Sequence, residues 1–265
     1  MSIPISGATL PATPDLLRDQ IEAGLRAVDI APRAVSVSAP AWPAVADLKL
    51  DLSDAAPGEL SEFPRVEGAG EGTLYVERLL LEARPFILQG LPLSVELRAL
   101  SATLQMTRLS GGNHALVLQK AADGNVELSA KNGDLERLAH TLVSAQAKKH
   151  GLEVKETQLA FTQRGPRSLS FQGDVTAKVM IMKAHLTVTG DLDLDDALQL
   201  RISNLKLSGG GMAATLARGF LQPQFDKLQA QPIALGALAL GEIRLRDVAV
   251  GIEGPNVRIS AKFGS

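Results

Sequence analysis

Four histidines, a short run of aspartates and one glycine run are the places where this sequence could do chemistry. His114, His140, His150 and His185 are scattered, and no two stand at the HExxH or HxH spacing that brings imidazoles to one metal ion. Asp191, Asp193 and Asp195 alternate along an expected strand and so share a face, with Asp196 next to them, an arrangement that invites calcium binding or paired-carboxylate acid–base work. The glycine-centred loop and terminal Glu of a dedicated calcium site are missing, and the run reads as a solvated strand face ending in a turn. Ser208-Gly209-Gly210-Gly211-Met212, ahead of an expected helix, is the one glycine run able to cradle a phosphate such as a lipid head group. It lacks the Lys-Ser/Thr of a nucleotide loop and reads as a turn that caps the helix. Lys148-Lys149-His150 suits a helix C-terminus and also offers positive charge to anionic lipid heads. With no GxSxG elbow, Walker loop or GxGxxG, and no Cys to act as nucleophile or thiolate ligand, the chain is expected to be no enzyme, with no catalytic residues, no metal and no cofactor.

Composition narrows the alternatives. The 265 residues carry a formal charge of −2 and a pI near 6.1, with no Lys/Arg stripe, so the long-range attraction on which nucleic-acid binding depends is missing. Hydrophobic residues make up 45% of the chain but aromatics only 3%, so its apolar surface is nearly all Leu, Val, Ala and Ile, which suits acyl chains better than planar cofactors or bases. No basic segment followed by an apolar run opens the sequence, and no stretch reaches the roughly 18 apolar residues of a membrane span. The expectation is a soluble protein, cytoplasmic as written and periplasmic if a signal has been removed.

The elements that would carry these residues are strands and three helices. Pro14-Asp15 followed by Leu16, Leu17, Ile21, Leu25 and Val28 spaces apolar residues three to four apart and predicts a helix ending before Pro32. From 31 to 70 the chain is rich in Pro, Ala and Ser, with one strand at Leu48, Leu50 and Leu52. After Gly72 the period becomes two, at Leu93, Val95 and Leu97, at Leu116 and Leu118, and at Val126 and Leu128. Asp134-Leu135 opens a second helix that stops at Gly151. Strands resume through Leu159, Phe161, Leu169, Phe171, Val175 and Ala177, then Leu186, Val188, Leu192 and Leu194, and a phase slip at Asn204 marks a bulge before Leu205 and Leu207. A third helix carries Leu216, Phe220 and Phe225, and strands with a Gly254-Pro255 turn close the chain.

Two stretches share an order: strand, strand, Gly-rich turn, helix, alternating strand, Gly-Pro turn (165–166 and 254–255), returning strand. This pattern, with strings such as Leu200-Arg-Ile-Ser-Asn-Leu-Lys-Leu-Ser-Gly-Gly and Ile243-Arg-Leu-Arg-Asp-Val-Ala-Val, resembles the tubular lipid-binding (TULIP) superfamily and within it the bacterial LmeA-like proteins, over residues 72–265. The resemblance implies an α+β fold in which a long, strongly curved antiparallel sheet wraps around long amphipathic helices in two strand-helix-strand repeats. Residues 71–265 would form that domain, and residues 1–70 an N-terminal helix and Pro/Ala-rich segment packed on it.

The function then expected is non-catalytic binding or transport of a lipid or other long apolar molecule in a groove between helix and sheet. Lining residues would be Leu138, Leu142, Leu216, Phe220 and Phe225 from the helices, with Val179, Ile181, Leu186 and Val188 from the sheet. Partners would be that ligand and, transiently, a membrane surface; nucleic acid is excluded. The alternative is a scaffold module with a filled core, a dimer interface and no ligand.

Overall fold

The computed structural model describes residues 2–56, 66–88, 90–109, 112–149, 153–179, 182–195, 199–210, 215, 226–227, 229–230, 233–234 and 245–265. The elements run β1 (Ser2–Ile5), α1 (Pro14–Arg26), β2 (Ala34–Ser38), β3 (Ala44–Asp51), β4 (Val66–Leu88), β5 (Leu91–Leu109), β6 (His114–Lys120), β7 (Asp123–Lys131), α2 (Asn132–Lys148), β8 (Glu153–Gly165), β9 (Ser168–Val179), β10 (Met182–Leu194), β11 (Gln199–Gly209), β12 (Ile233–Ala234), β13 (Leu245–Glu253) and β14 (Asn256–Phe263).

Among the described residues strand outweighs helix by 65% to 17%, and the two helices described over their length are short, 13 and 17 residues against strands of up to 23. This overturns the α+β expectation of a curved sheet wrapped around long amphipathic helices in two matching repeats. The apolar periodicity of each helix is present, but periodicity does not say what the apolar stripe meets. In α1 it is buried against a sheet; in α2 it runs from the half-buried Leu135 and Leu138 to Leu142, which is 61% exposed. Of the third expected helix, only Thr215, Asp226, Lys227, Gln229 and Ala230 are described, and Leu216, Phe220 and Phe225 lie outside the described residues. No helix among the described residues is long and apolar enough to cross a membrane.

The chain divides into two compact units, one of residues 1–129, 238–248 and 260–265, the other of residues 130–237 and 249–259. The boundary expected at residue 70 falls inside β4. In the first unit the long β4–β5 hairpin is flanked by β6 on one side and, through a parallel pairing, by β3 and then β2 on the other, while β1 adds to β6. Residues 1–56 therefore supply three strands and α1 to the same core. Thr13 caps α1 by accepting the Leu16 amide, and Pro14 takes the first turn, where its missing N–H costs nothing. Leu17, Ile21 and Leu25 are buried against Leu48, Leu50, Leu74, Leu104 and Met106 in one extensive cluster. Gly24 lets the helix approach β1: a Cβ there would stand 2.5 Å from Ile5 and Pro4 backbone atoms.

The hairpin also changes its inward side. Leu74 and Val76 are buried, then Glu77 and Arg78 both face out, and Leu79 resumes; opposite them Leu97 and Ala99 are buried, Leu100 and Ser101 face out, and Ala102 resumes. Ser101 takes φ 48° to make this turn-over. The second unit is a five-stranded antiparallel meander in the order β12-β11-β10-β9-β8, with α2 packed on β8.

Candidate functional site

In the second unit the period-two pattern separates two chemically distinct faces. Register places Phe161 opposite Phe171, Leu169 opposite Leu192, Val175 opposite Leu186, Val188 opposite Leu207 and Leu194 opposite Leu200, so one face is aliphatic and aromatic across four strands. Phe171 and Leu205 close over Gly190, where a Cβ would come within 2.8 Å of both, making the layer continuous at its middle. Yet this face is half covered. Leu169, Val175, Ala177, Leu186 and Leu194 are buried, whereas Leu159, Phe161, Phe171, Val188, Leu192, Leu200, Ile202, Leu205 and Leu207 are only partly so. The buried cluster here centres on Val175 and Leu186, with Val154 and Leu207 against it, far smaller than that of the first unit.

The opposite face is polar and hydrogen-bonded across strands. Asp174 accepts from Thr187 Oγ1 (2.6 Å) and Gln172 Nε2 (2.8 Å), and these bonds hold its carboxyl below the usual carboxylate range. Asp191 accepts from Asn204 Nδ2 (2.7 Å) and Ser170 Oγ (2.8 Å), with Arg164 Nε at 3.4 Å; the Asn204 bond is the first cause of its lowered pKa. Arg164 also donates to Asp193, and Asp195 accepts the Gln199 amide and pairs with Arg201. Asp174 and Asp191 are thus held as ionised acceptors in a hydrogen-bond network, an arrangement ill suited to general acid catalysis. His140 Nδ1 lies 3.1 Å from Thr157 Oγ1, and His185 Nδ1 3.1 Å from Thr176 Oγ1. Among the described residues no group of three His, Cys, Asp or Glu side chains is placed to hold a metal ion. His150, Asp196 and Gly211 lie outside the described residues.

Helix α2 meets the sheet at its edge, through polar groups. Asn132 Nδ2 donates to the Leu159 carbonyl (2.8 Å) and Glu136 Oε2 accepts the Leu159 amide (2.9 Å), so the backbone of one β8 edge residue is satisfied entirely by α2 side chains. His140 follows on Thr157, and Ala147 is buried one turn beyond Ser144. Positions 132, 136, 140 and 147 make up the docked side of the helix.

Of the sheet residues expected to line a site, Leu186 and Val188 both stand on the half-covered apolar face, in β10. Val179 ends β9, its side chain outside the described set, and Ile181 also lies outside it. Leu138 is half-buried and Leu142 is 61% exposed; α2 packs on β8, two strands away from β10. The structure brings Leu186 and Val188 together with each other and not with Leu142. Sequence reasoning passed over Phe161, Phe171, Leu192, Leu205 and Leu207 as lining residues, although their alternation in phase with Leu186 and Val188 marks the same face.

The first unit holds a separate shallow depression of about 460 Å³, lined by Pro40, Ala41, Ala44, Ala46, Ala102 and the exposed Tyr75 among others. Its lining offers one carboxylate, Glu77, and no basic side chain. No protein-family model, curated protein or solved structure matches this chain.

Proposed function

We propose that the protein binds a lipid or another long apolar molecule on the aliphatic face of the β8–β11 sheet and performs no chemistry on it. The observation that carries this reading is the contrast within one sheet between a saturated polar face and an apolar face whose Phe161, Phe171, Val188, Leu192, Ile202 and Leu207 remain partly exposed. Covering such surface is favourable by roughly 25 cal/mol per Å², or about 0.8 kcal/mol for each CH₂ of a chain laid on it. Aliphatic walls impose little geometry, so selectivity would rest on chain length and shape rather than on directed hydrogen bonds.

The test is native mass spectrometry of the purified protein, followed by organic extraction and lipid identification. A co-purifying lipid that is released on denaturation, and that is absent from Val188→Asp, is the expected result. A clean apo mass with no uptake of offered fatty acid or phospholipid overturns the reading and leaves a scaffold module.

A further inference from the structure

The docked side of α2 leaves its leucines on the opposite side. At 100° per residue, Leu135, Leu138, Leu142, Ala145 and Lys149 form one stripe, about half a turn around the helix from Glu136, His140 and Ala147. The contacts of Asn132, Glu136 and His140 with β8 fix that orientation, so the helix is docked with its polar side inward. Leu142 is 61% exposed, second only to Tyr75 among the exposed large hydrophobics of the described residues. Leu135 and Leu138 at the start of the stripe are half-buried, whereas Leu142 and Ala145 toward its end are exposed, so the part of the stripe nearer the lysines is apolar surface in water.

Charge at the end of that stripe says what covers it. Lys148 and Lys149 are exposed at the helix C-terminus, and the chain enters β8 only four residues later at Glu153. Glu153 pairs with Lys155 on its own strand and stands opposite Lys178 in register. One carboxylate therefore answers several lysines, Lys148 among them, and its pKa is lowered chiefly by the Lys155 bond. Toward the other end of the stripe the Asp134 carboxylate is neutralised by Arg137. A run of leucines followed by a lysine cluster is the arrangement with which a helix lies on an anionic bilayer, its apolar side chains among the acyl chains and its amines at the phosphates.

We propose that α2 is a membrane-docking helix, which seats its Leu135-Leu138-Leu142 stripe on an anionic lipid surface with Lys148 and Lys149 at the head groups. This deepens the ligand reading and rests on it for its purpose: a carrier must reach the bilayer that supplies its cargo. The geometry stands without it.

The experiment is co-sedimentation of the full chain with vesicles of phosphatidylcholine mixed with phosphatidylglycerol and with vesicles of phosphatidylcholine alone. Wild type is expected in the pellet with the anionic vesicles only. Lys148→Glu combined with Lys149→Glu is expected to weaken that partitioning by at least about tenfold, since each lysine at an anionic surface contributes roughly a fivefold factor. Leu142→Ser, at an exposed position that leaves the fold intact by circular dichroism, is expected to weaken it as well. Wild type remaining in the supernatant, equal binding to neutral vesicles, or variants that pellet like wild type each overturn the proposal. Docking by a protein that carries no extractable lipid sinks the ligand reading alone, and extractable lipid without docking sinks this one alone.

Discussion

Asn204 Nδ2 donates to Asp191 Oδ2 at 2.7 Å, at the point where β10 and β11 change register. Thr189 pairs with Lys206 and Asp191 with Ser203, so the single residue Gly190 faces both Asn204 and Leu205. That is a β-bulge, with Asn204 in the left-handed region at φ 54°. Asn tolerates this conformation better than most residues, and its side chain ties the bulge to the neighbouring strand.

Asn204→Ala should therefore lose both a bond to a charged acceptor and a tolerant backbone. The expected cost is about 1–2 kcal/mol in urea denaturation. Asn204→Gly keeps the backbone and loses only the bond, so it should cost less than Ala. The reverse order would place the bulge's stability elsewhere.

The same network sets an acid limit. Asp191 and Asp174 are held below the usual carboxylate pKa, chiefly by the Asn204 and Thr187 bonds respectively. A carboxylate whose folded pKa is depressed stabilises the fold at pH values above its unfolded pKa of about 4, and that contribution is lost as pH falls through the folded value. Unfolding free energy measured from pH 7 down to pH 3 should fall on the acid side. In Asp191→Asn the slope below pH 4 should be shallower, and an unchanged slope would remove Asp191 from the titration.

Much of the second sheet was legible in the sequence, and the reason is local. Leu186, Val188, Leu192 and Leu194 alternate with polar residues in a window short enough to read, and the slip at Asn204 interrupts that alternation visibly. Thr13 and Pro14 announce α1 equally well. What stayed hidden depends on distant partners. The β1–β6 pairing, the parallel β3–β4 pairing and the reversal of sides at Glu77-Arg78 and Leu100-Ser101 leave no periodic trace, because each is fixed by a segment far away in the chain. The half-covered face was readable as alternation, but not its exposure. In α2 the leucine stripe was readable, and a stripe ordinarily marks the buried side. Only the Leu159 edge, whose amide and carbonyl require Glu136 and Asn132, turns the helix the other way.

That edge contact gives a local prediction. Glu136→Ala removes a charge-assisted acceptor from a partly buried amide and should cost about 1.5–3 kcal/mol. Hydrogen exchange of the Leu159 amide should accelerate more than that of its strand neighbours. Glu136→Gln retains an acceptor oxygen and should recover part of the protection; exchange equal to that of the Ala variant would mean that Glu136 does not hold the edge.

Packing of α1 on β1 should be intolerant of one methyl group. Gly24→Ala raises helix propensity by about 1 kcal/mol, but its Cβ would meet Ile5 and Pro4 backbone atoms at 2.5 Å, and backbone does not yield as the end of a flexible side chain does. A net loss of about 1–2 kcal/mol is expected in urea denaturation. A gain in stability would show that the helix can lift from β1 at little cost.

The two units should respond differently to a buried charge. Leu104 is fully buried within the large cluster of the first unit, where an aspartate has no water to reach and no partner, so Leu104→Asp should cost several kcal/mol and abolish cooperative unfolding. Val188 stands in the middle of the half-covered face, where a carboxylate can still reach solvent, so Val188→Asp should cost no more than about 1–2 kcal/mol. Circular dichroism with urea titration measures both. If Val188→Asp folds and the extracted lipid disappears, the face is a binding surface. If Val188→Asp unfolds the protein as completely as Leu104→Asp, the face is ordinary core, and its partial exposure has no role in holding a ligand.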